Sequence, residues 1–295
     1  MSVQLVFTAL SNGYIKGYMA GGLYQGWFKG FCLPGLNCYS CPGAFGSCPI
    51  GALQAVIGSR TYQFSFYTFG FLTAIGALCG RLVCGFMCPF GFFQDLLHKI
   101  PLKKIRRIPF IMVFDKFRYA VLAIFVCILP AFAVNFVGQG DPWFCKYLCP
   151  SGTLMAGVPQ ILLHPELQSA AGMLWMIKFG VLLLLILLSV KIYRPFCRFL
   201  CPLGAVYGLF NRVSLYHYEY NALICTRCGA CAASCAMKLD PCSTPNSTQC
   251  IRCGNCLRAC QAKALSSVWS MKDSPHSYHP TKHRYFNHFS GGKPR

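Results

Sequence analysis

Cys225-Thr-Arg-Cys228-Gly-Ala-Cys231-Ala-Ala-Ser-Cys235 and Cys250-Ile-Arg-Cys253-Gly-Asn-Cys256-Leu-Arg-Ala-Cys260 are two runs of Cys-x2-Cys-x2-Cys-x3-Cys. Three thiolates this close in sequence wrap one corner of an iron–sulfur cubane, and the fourth Cys of each run reaches the other cluster. The spacing predicts one [4Fe–4S] cluster on Cys225, Cys228, Cys231 and Cys260, and a second on Cys250, Cys253, Cys256 and Cys235. Zinc is the alternative, since paired Cys-x2-Cys also builds zinc ribbons, but two successive four-Cys runs favour iron–sulfur. The proline that often follows the fourth Cys is Ala236 in the first run and Gln261 in the second, which alters the turn but removes no ligand. Cys242, in the linker between the runs, is an extra thiol to which the spacing gives no role.

Working back toward the N-terminus, a second pattern appears: Cys84-Gly-Phe-Met-Cys88-Pro, Cys145-Lys-Tyr-Leu-Cys149-Pro and Cys197-Arg-Phe-Leu-Cys201-Pro. On a helix, positions i and i+4 share a face, so each pair offers two sulfurs to a common point. Two such pairs would complete one cluster. A looser version carries Cys38, Cys41 and Cys48, with Cys32 just upstream. Cys48-Pro-Ile-Gly-Ala-Leu-Gln echoes Cys88-Pro-Phe-Gly-Phe-Phe-Gln and Cys201-Pro-Leu-Gly-Ala-Val, so the chain reads as two halves, each a Cys-Pro site, a span and a second Cys-Pro site. Cys79 and Cys127 fall inside apolar segments and read as small apolar residues.

The rest of the chain suits a membrane. Of 295 residues 55% are hydrophobic and 12% charged, with a mean hydropathy of +0.47, against about 25% charged in an ordinary soluble domain. Twenty-one Cys mean either disulfides or metal ligands; abundant apolar sequence and the lack of a cleavable leader at Met1 favour metal. Lys and Arg number 27 against 7 Asp and Glu, a net charge of +20. Anionic lipid headgroups and an acidic redox protein, such as a flavodoxin or a second ferredoxin, are the partners this charge suits. Nucleic acid is not among them, because no basic run is interleaved with exposed aromatics in a polar domain.

Three segments are expected to cross the bilayer: Thr61 to Gly80, Tyr119 to Gly140, and Leu167 to Val190, the last interrupted by Lys178. A fourth candidate, Val3 to Phe28, contains Lys16 and several Gly and reads equally as an interfacial helix. The loop with Lys99, Lys103, Lys104, Arg106 and Arg107 assigns its side to the cytoplasm. Alternation then places Cys41/Cys48 and Cys145/Cys149 on the outer side. It leaves Cys84/Cys88, Cys197/Cys201 and the doubled Cys run on the inner side. Sites at opposite faces of a membrane about 30 Å thick are too far apart for one practical electron hop. Either they are sunk into the bilayer, or a quinone, flavin or haem lies between them, or the topology differs.

From Cys38 to about Leu265, these motifs resemble the membrane-bound 4Fe–4S polyferredoxins of the NapH, NosR and YccM kind. The resemblance implies electron transfer between a quinone pool or cytosolic donor and a partner reductase or cytochrome. The segment shows no N-terminal flavin-binding extracytoplasmic domain of the NosR kind, and the Cys38–Cys48 spacing departs from the plain motif of NapH, so donor and acceptor stay open. The expected fold is a membrane α-helical bundle of three to four transmembrane helices, internally duplicated, over residues 1–215. An α+β bacterial-type ferredoxin domain with two [4Fe–4S] clusters follows over 216–265, and then a disordered basic tail over 266–295 with His276, His279, His283 and His288. One or two further [4Fe–4S] clusters would sit on the Cys-Pro sites, and quinone is a candidate cofactor. The expected role is an electron carrier in the inner membrane, multi-pass, with the ferredoxin domain cytoplasmic. The alternatives are a redox-sensing or maturation protein and a quinol-oxidising subunit. No Ser/His/Asp arrangement or phosphate-binding Gly loop suggests independent catalysis.

Overall fold

The computed structural model describes residues 1–59, 66–105, 111–134, 139–169 and 172–270. Part of the basic loop (Arg106, Arg107) and the four His of the tail lie outside them. The described part of residues 1–210 is mostly short helices, apart from an irregular stretch over 31–48. Proline fixes its own φ and pushes the preceding residue out of the helical region, so Cys48, Cys88, Cys149 and Cys201 each stand extended before a helix that starts on the following proline, whereas Cys41-Pro42 lies in a turn. Pro49–Gly58, Pro89–His98 and Pro202–Phe210 all begin this way.

Among the described residues one helix, Met173–Lys191, is long and apolar enough to cross a membrane. Its side chains are largely uncovered by protein, with Met173 77%, Met176 61% and Leu187 60% exposed. The other segments expected to span are shorter or broken helices in the described residues. Phe66–Cys79 has 14 described residues, about 21 Å at 1.5 Å per residue. The second expected span is shifted toward the N-terminus. It runs from Ile111–Val121 through a π-helical turn, Leu122–Ile128, into Leu129–Phe132, with helical backbone at both joints. It can begin among charges because Asp115 is paired with Arg198 at 2.9 Å. The third starts six residues late, at Met173, because Gly172 is extended. The N-terminal candidate is two helices, Ser2–Ser11 and Ile15–Ala20, and Gln4 of the first donates to Asp95 at 2.9 Å.

The C-terminal domain is built on one antiparallel pair, β1 (Tyr216–Tyr220) and β2 (Leu265–Trp269), with Tyr216 opposite Trp269 and Tyr220 opposite Leu265. Strand β2 thus continues four residues beyond the boundary expected at 265. Two short helices, Ala230–Ser234 and Asn255–Ala259, follow the first two Cys of each run and carry the third. The duplication shows in the backbone. Arg227 and Arg252, Gly229 and Gly254, and Lys238 and Lys263 all have positive φ, each pair 25 residues apart. At Gly229 and Gly254 (φ 75° and 77°), glycine is the residue that turns the chain left-handed without a Cβ penalty.

The main hydrophobic core of the helical part contains Leu36, Cys48, Cys84, Cys88, Phe90, Phe144, Cys149, Phe196, Cys197, Cys201 and Tyr207, and a smaller one gathers Cys41, Ala44 and Ala156. The Cys-Pro sites are thus interior to the protein.

Candidate metal centres

The Cys-x3-Cys-Pro pairs do not share one helix face, as the i, i+4 argument expected. The first Cys lies in a helix and the second, held extended by its proline, caps the next one. Cys88 and Cys201 each accept the amide N–H of the glycine three residues on, Gly91 at 3.4 Å and Gly204 at 3.3 Å. The sulfur therefore sits at the positive end of a helix, where thiolate is favoured.

Cys84, Cys88, Cys197 and Cys201 come together around a local two-fold relation. Arg81 and Arg194 each stand three residues before the first Cys of a motif and clamp the opposite one: Arg81 Nη2 donates to the Cys197 carbonyl at 2.9 Å, and Arg194 Nη1 to the Cys84 carbonyl at 2.6 Å. Gly91 and Gly204 make room, since a Cβ on either would crowd the arginine at 3.3 and 3.0 Å. Gln94, buried, donates Nε2 to Cys197 Sγ at 3.2 Å while its Oε1 accepts the Phe196 N–H at 3.2 Å. The symmetry breaks at the residue after. Asp95 pairs with Arg194 (Nε to Oδ1, 2.7 Å). Burial works against the Asp95 carboxylate, but Arg194 more than offsets it and holds the group below its usual range. In the second half that position is Gly208, where a Cβ would stand 2.7 Å from the Thr248 carbonyl. The space admits the C-terminal domain, whose Thr248 carbonyl accepts from Arg81 (3.0 Å) and Arg118 (3.1 Å) and whose Gln249 Oε1 accepts from Arg118 at 3.1 Å.

The second set is Cys38, Cys48, Cys145 and Cys149. The charge on Cys48 is felt by Cys149, and that on Cys38 by the other three. Gln54 repeats the role of Gln94, donating to Cys145 Sγ at 3.2 Å and accepting the Phe144 N–H at 3.0 Å. Lys178, which interrupts the third apolar segment, has found a polar partner here, because its charge favours the Cys38, Cys145 and Cys149 thiolates. Cys41 turns away: its sulfur is 3.0 Å from the Tyr18 hydroxyl and beneath the buried Lys29, whose Nζ donates to the Ala44 carbonyl at 2.9 Å. Cys32 lies apart beside Ser47, while Cys79 and Cys127 remain on their helices.

The two sets adjoin. The Leu36 amide, two residues before Cys38, donates to Cys88, and a Cβ on Gly35 would meet the Met87 carbonyl at 2.5 Å.

In the C-terminal domain, one pocket is lined by Cys225, Cys228, Cys231 and Cys260, together with Cys242. A second is lined by Cys235, Cys250, Cys253 and Cys256. The Arg227 and Arg252 amides donate to Cys225 and Cys250, each at 3.4 Å. The second cavity adjoins the helical part, since a Cβ on Gly85, next to Cys84, would meet the Ile251 carbonyl at 2.6 Å.

Do these residues fit iron–sulfur clusters? Among the described residues no three His, Cys, Asp or Glu side chains converge tightly enough to hold one metal ion. Burial pushes the Cys197 thiol up to about 11, with the charge of Cys88 adding to this and Arg194 and Arg81 opposing it. Such a pocket holds thiolates only when cations share their charge. Arg81, Arg118 and Arg252 are buried to 1% exposure or less, with no carboxylate in ion-pair contact among the described residues and each with an unpaired Nε. Buried charge without a counter-charge is costly. Thiolate-ligated clusters, which are net anionic, supply what this interior lacks.

The arginines, the two glutamines and Tyr207, whose buried hydroxyl has no partner and lies within the field of Cys84, Cys48 and Cys88, were not singled out by Cys spacing. The signal was present for some of them: Arg-x2-Cys recurs at Arg81 and Arg194, and Cys-Pro-x-Gly-x2-Gln at Gln54 and Gln94.

The family described as "4Fe-4S binding domain" matches three stretches, 61–109, 117–163 and 171–216, each containing one Cys-x3-Cys-Pro motif. The doubled Cys run lies beyond them. Among curated proteins, the methylamine utilization ferredoxin-type protein MauN of Paracoccus denitrificans is 30% identical over 53% of this chain and 48% of its own length. YccM of Escherichia coli, provisionally named an electron transport protein, is 27% identical over 56% and 44%. The regulatory protein NosR of Pseudomonas aeruginosa is 25% identical over 59% and 22%. The chain spans about half the length, or less, of these relatives. No solved structure matches it.

Proposed function

We propose, from the three stretches that match the 4Fe-4S binding domain family and from the similarity to MauN, YccM and NosR, that this chain is a membrane-embedded electron conductor with four cluster sites in series. Cys225, Cys228, Cys231 and Cys260 hold the first. Cys250, Cys253, Cys256 and Cys235 hold the second, Cys84, Cys88, Cys197 and Cys201 the third, and Cys38, Cys48, Cys145 and Cys149 the fourth. Bound there, [4Fe–4S] clusters supply one-electron transfer at each site.

The observation that carries this reading is the gathering of all sixteen Cys into four sets of four joined by direct protein contact: Ile251 against Gly85 links the second set to the third, and Leu36 against Cys88 links the third to the fourth. Protein residues do the rest. Gln94 and Gln54 donate to one thiolate in each helical set, which lowers the cost of adding negative charge. Arg81 and Arg118 fix the C-terminal domain against the helices and place positive charge at the joint. Phe90, Phe144, Phe196 and Leu203 keep water out.

The exposed apolar faces of Phe66–Cys79, the Ile111 to Phe132 helix and Met173–Lys191 make three membrane-facing elements. The basic loop from Lys99 puts the C-terminal domain on the cytoplasmic side. The first cavity, farthest from the helices, is the port for an acidic redox protein. The fourth set serves a quinone or a partner reductase. Iron and acid-labile sulfide analysis with EPR on the purified full chain should give four clusters, and fewer than three would overturn the series. Reduction by an acidic carrier should be abolished by Cys228→Ser, and labelling of single-Cys variants on either side of the membrane tests the orientation.

A further inference from the structure

The first cavity holds five thiols where a cubane takes four. Cys242 lies in the linker between the Cys runs, on a turn fixed by Asp240, whose Oδ1 accepts the Cys242 N–H at 3.1 Å and whose carbonyl accepts the Thr244 N–H at 3.0 Å. Its sulfur is 3.4 Å from that of Cys231 and lines the same cavity as Cys225, Cys228 and Cys260. Two thiolates bound to different irons of one cubane stand well apart, whereas two sulfurs in van der Waals contact approach the same iron. Cys242 is therefore placed to compete with Cys231, and with no other ligand of the set does the structure show such a contact.

Resting on the cluster assignment above, we propose that Cys242 is a reserve ligand of the first cluster site: it donates its S–H to the Cys231 thiolate when Cys231 is bound, and takes over that iron when Cys231 is lost. The exchange is a ligand substitution without change of oxidation state. The Cys242 thiol gives its proton to water, an iron–sulfur bond forms to its sulfur, and the bond to Cys231 is the one replaced. The linker turn is short and anchored at both ends by motif cysteines, so the substitution needs a shift of the Cys242 side chain and no refolding of the domain. The first site is also the one most open to solvent, with Cys228 exposed, where oxidation of a ligand is most frequent and a spare thiol most useful.

The test is iron content and EPR on four full-length forms: wild type, C231A, C242A and the double variant C231A/C242A. C231A is expected to keep the wild-type iron complement with an altered EPR signal from one cluster. The double variant should lose about four irons per chain, and C242A should keep all its iron while the first cluster's potential moves to a more negative value. If C231A is as iron-poor as the double variant, the inference is overturned while the cluster assignment stands. C228A serves as a control, expected to lose the cluster with Cys242 still present; retention there would show that the cavity recruits any thiol and would likewise overturn the specific pairing. A wild-type chain without two clusters in this domain overturns the assignment itself, and this inference with it.

Discussion

Replacing Gln94 by leucine tests the logic of the helical sites most directly. Gln94 is 1% exposed and makes three contacts at once: it accepts the Phe196 N–H, donates to Cys197 Sγ and donates to the Phe90 carbonyl at 3.4 Å. Leucine fills nearly the same volume, so the cost is that of lost hydrogen bonds. The Phe196 amide is left buried without a partner, about 1–3 kcal/mol, which at about 2 °C per kcal/mol for a chain of this length lowers the midpoint of thermal bleaching by about 2–6 °C. The Cys197 thiolate loses a charge-assisted donor; if the full value of about 1.5 kcal/mol is realised only in the reduced state, the cluster potential falls by about 65 mV. Gln54→Leu removes the matching contacts to Cys145 and Phe144 and should produce a shift of the same size in a different cluster. Potentiometric EPR of the full-length protein separates the two. If both substitutions move the same signal, or neither moves any, the two-site reading of the helical part is refuted.

Gly208→Ala should loosen the joint between helices and C-terminal domain, because its Cβ would stand 2.7 Å from the Thr248 carbonyl. Hydrogen exchange over 247–252 should rise, whereas Gly180→Ala, with open space around it, should leave it unchanged. Asp95→Asn leaves Arg194 buried without its counter-charge and should cost about 3–5 kcal/mol at neutral pH. Since Arg194 depresses the Asp95 carboxyl, the pair's contribution is complete above the ordinary carboxylate value near 4 and disappears as pH falls through the lowered native value. The variant's stability should accordingly vary less with pH on the acid side, as chemical denaturation at several pH values will show. Tyr207→Phe should stabilise the iron-free chain by about 1 kcal/mol, since the buried hydroxyl has no protein partner. In the loaded protein it should shift a potential without loss of iron; identical redox titrations for the two proteins would remove Tyr207 from the wiring.

The pockets lined by the doubled Cys run were legible because most of their Cys are close in sequence. The Cys-Pro motifs were legible as helix starts because of the proline. Their grouping was not, because it depends on contacts between segments far apart in sequence, such as Leu36 against Cys88 or Arg194 against Cys84. The choice of Cys38 over Cys41 depends on how residues 31–48 fold around Lys29 and Tyr18, which spacing does not reveal. Hydropathy found the apolar segments but not the limits of their helices. It registers apolar length, whereas helix limits are set by Pro, by Gly172 and by charged residues such as Asp115 that have partners. The buried arginines escaped notice because sequence alone places charge on the surface.

Arg81, Arg118 and Arg252 have a consequence for how the protein is made. A newly synthesised copy that has not yet received iron would have to shut three positive charges away with nothing opposite them, all along the seam where the C-terminal domain meets the helices. On the proposed cluster assignment, the helices would fold without meeting that cost while the seam would close only as the clusters arrive. Cluster delivery and final closure would then be a single event, and an unloaded copy would stay open to proteolysis. The same charges would thus act during biogenesis as a check that the clusters have been installed.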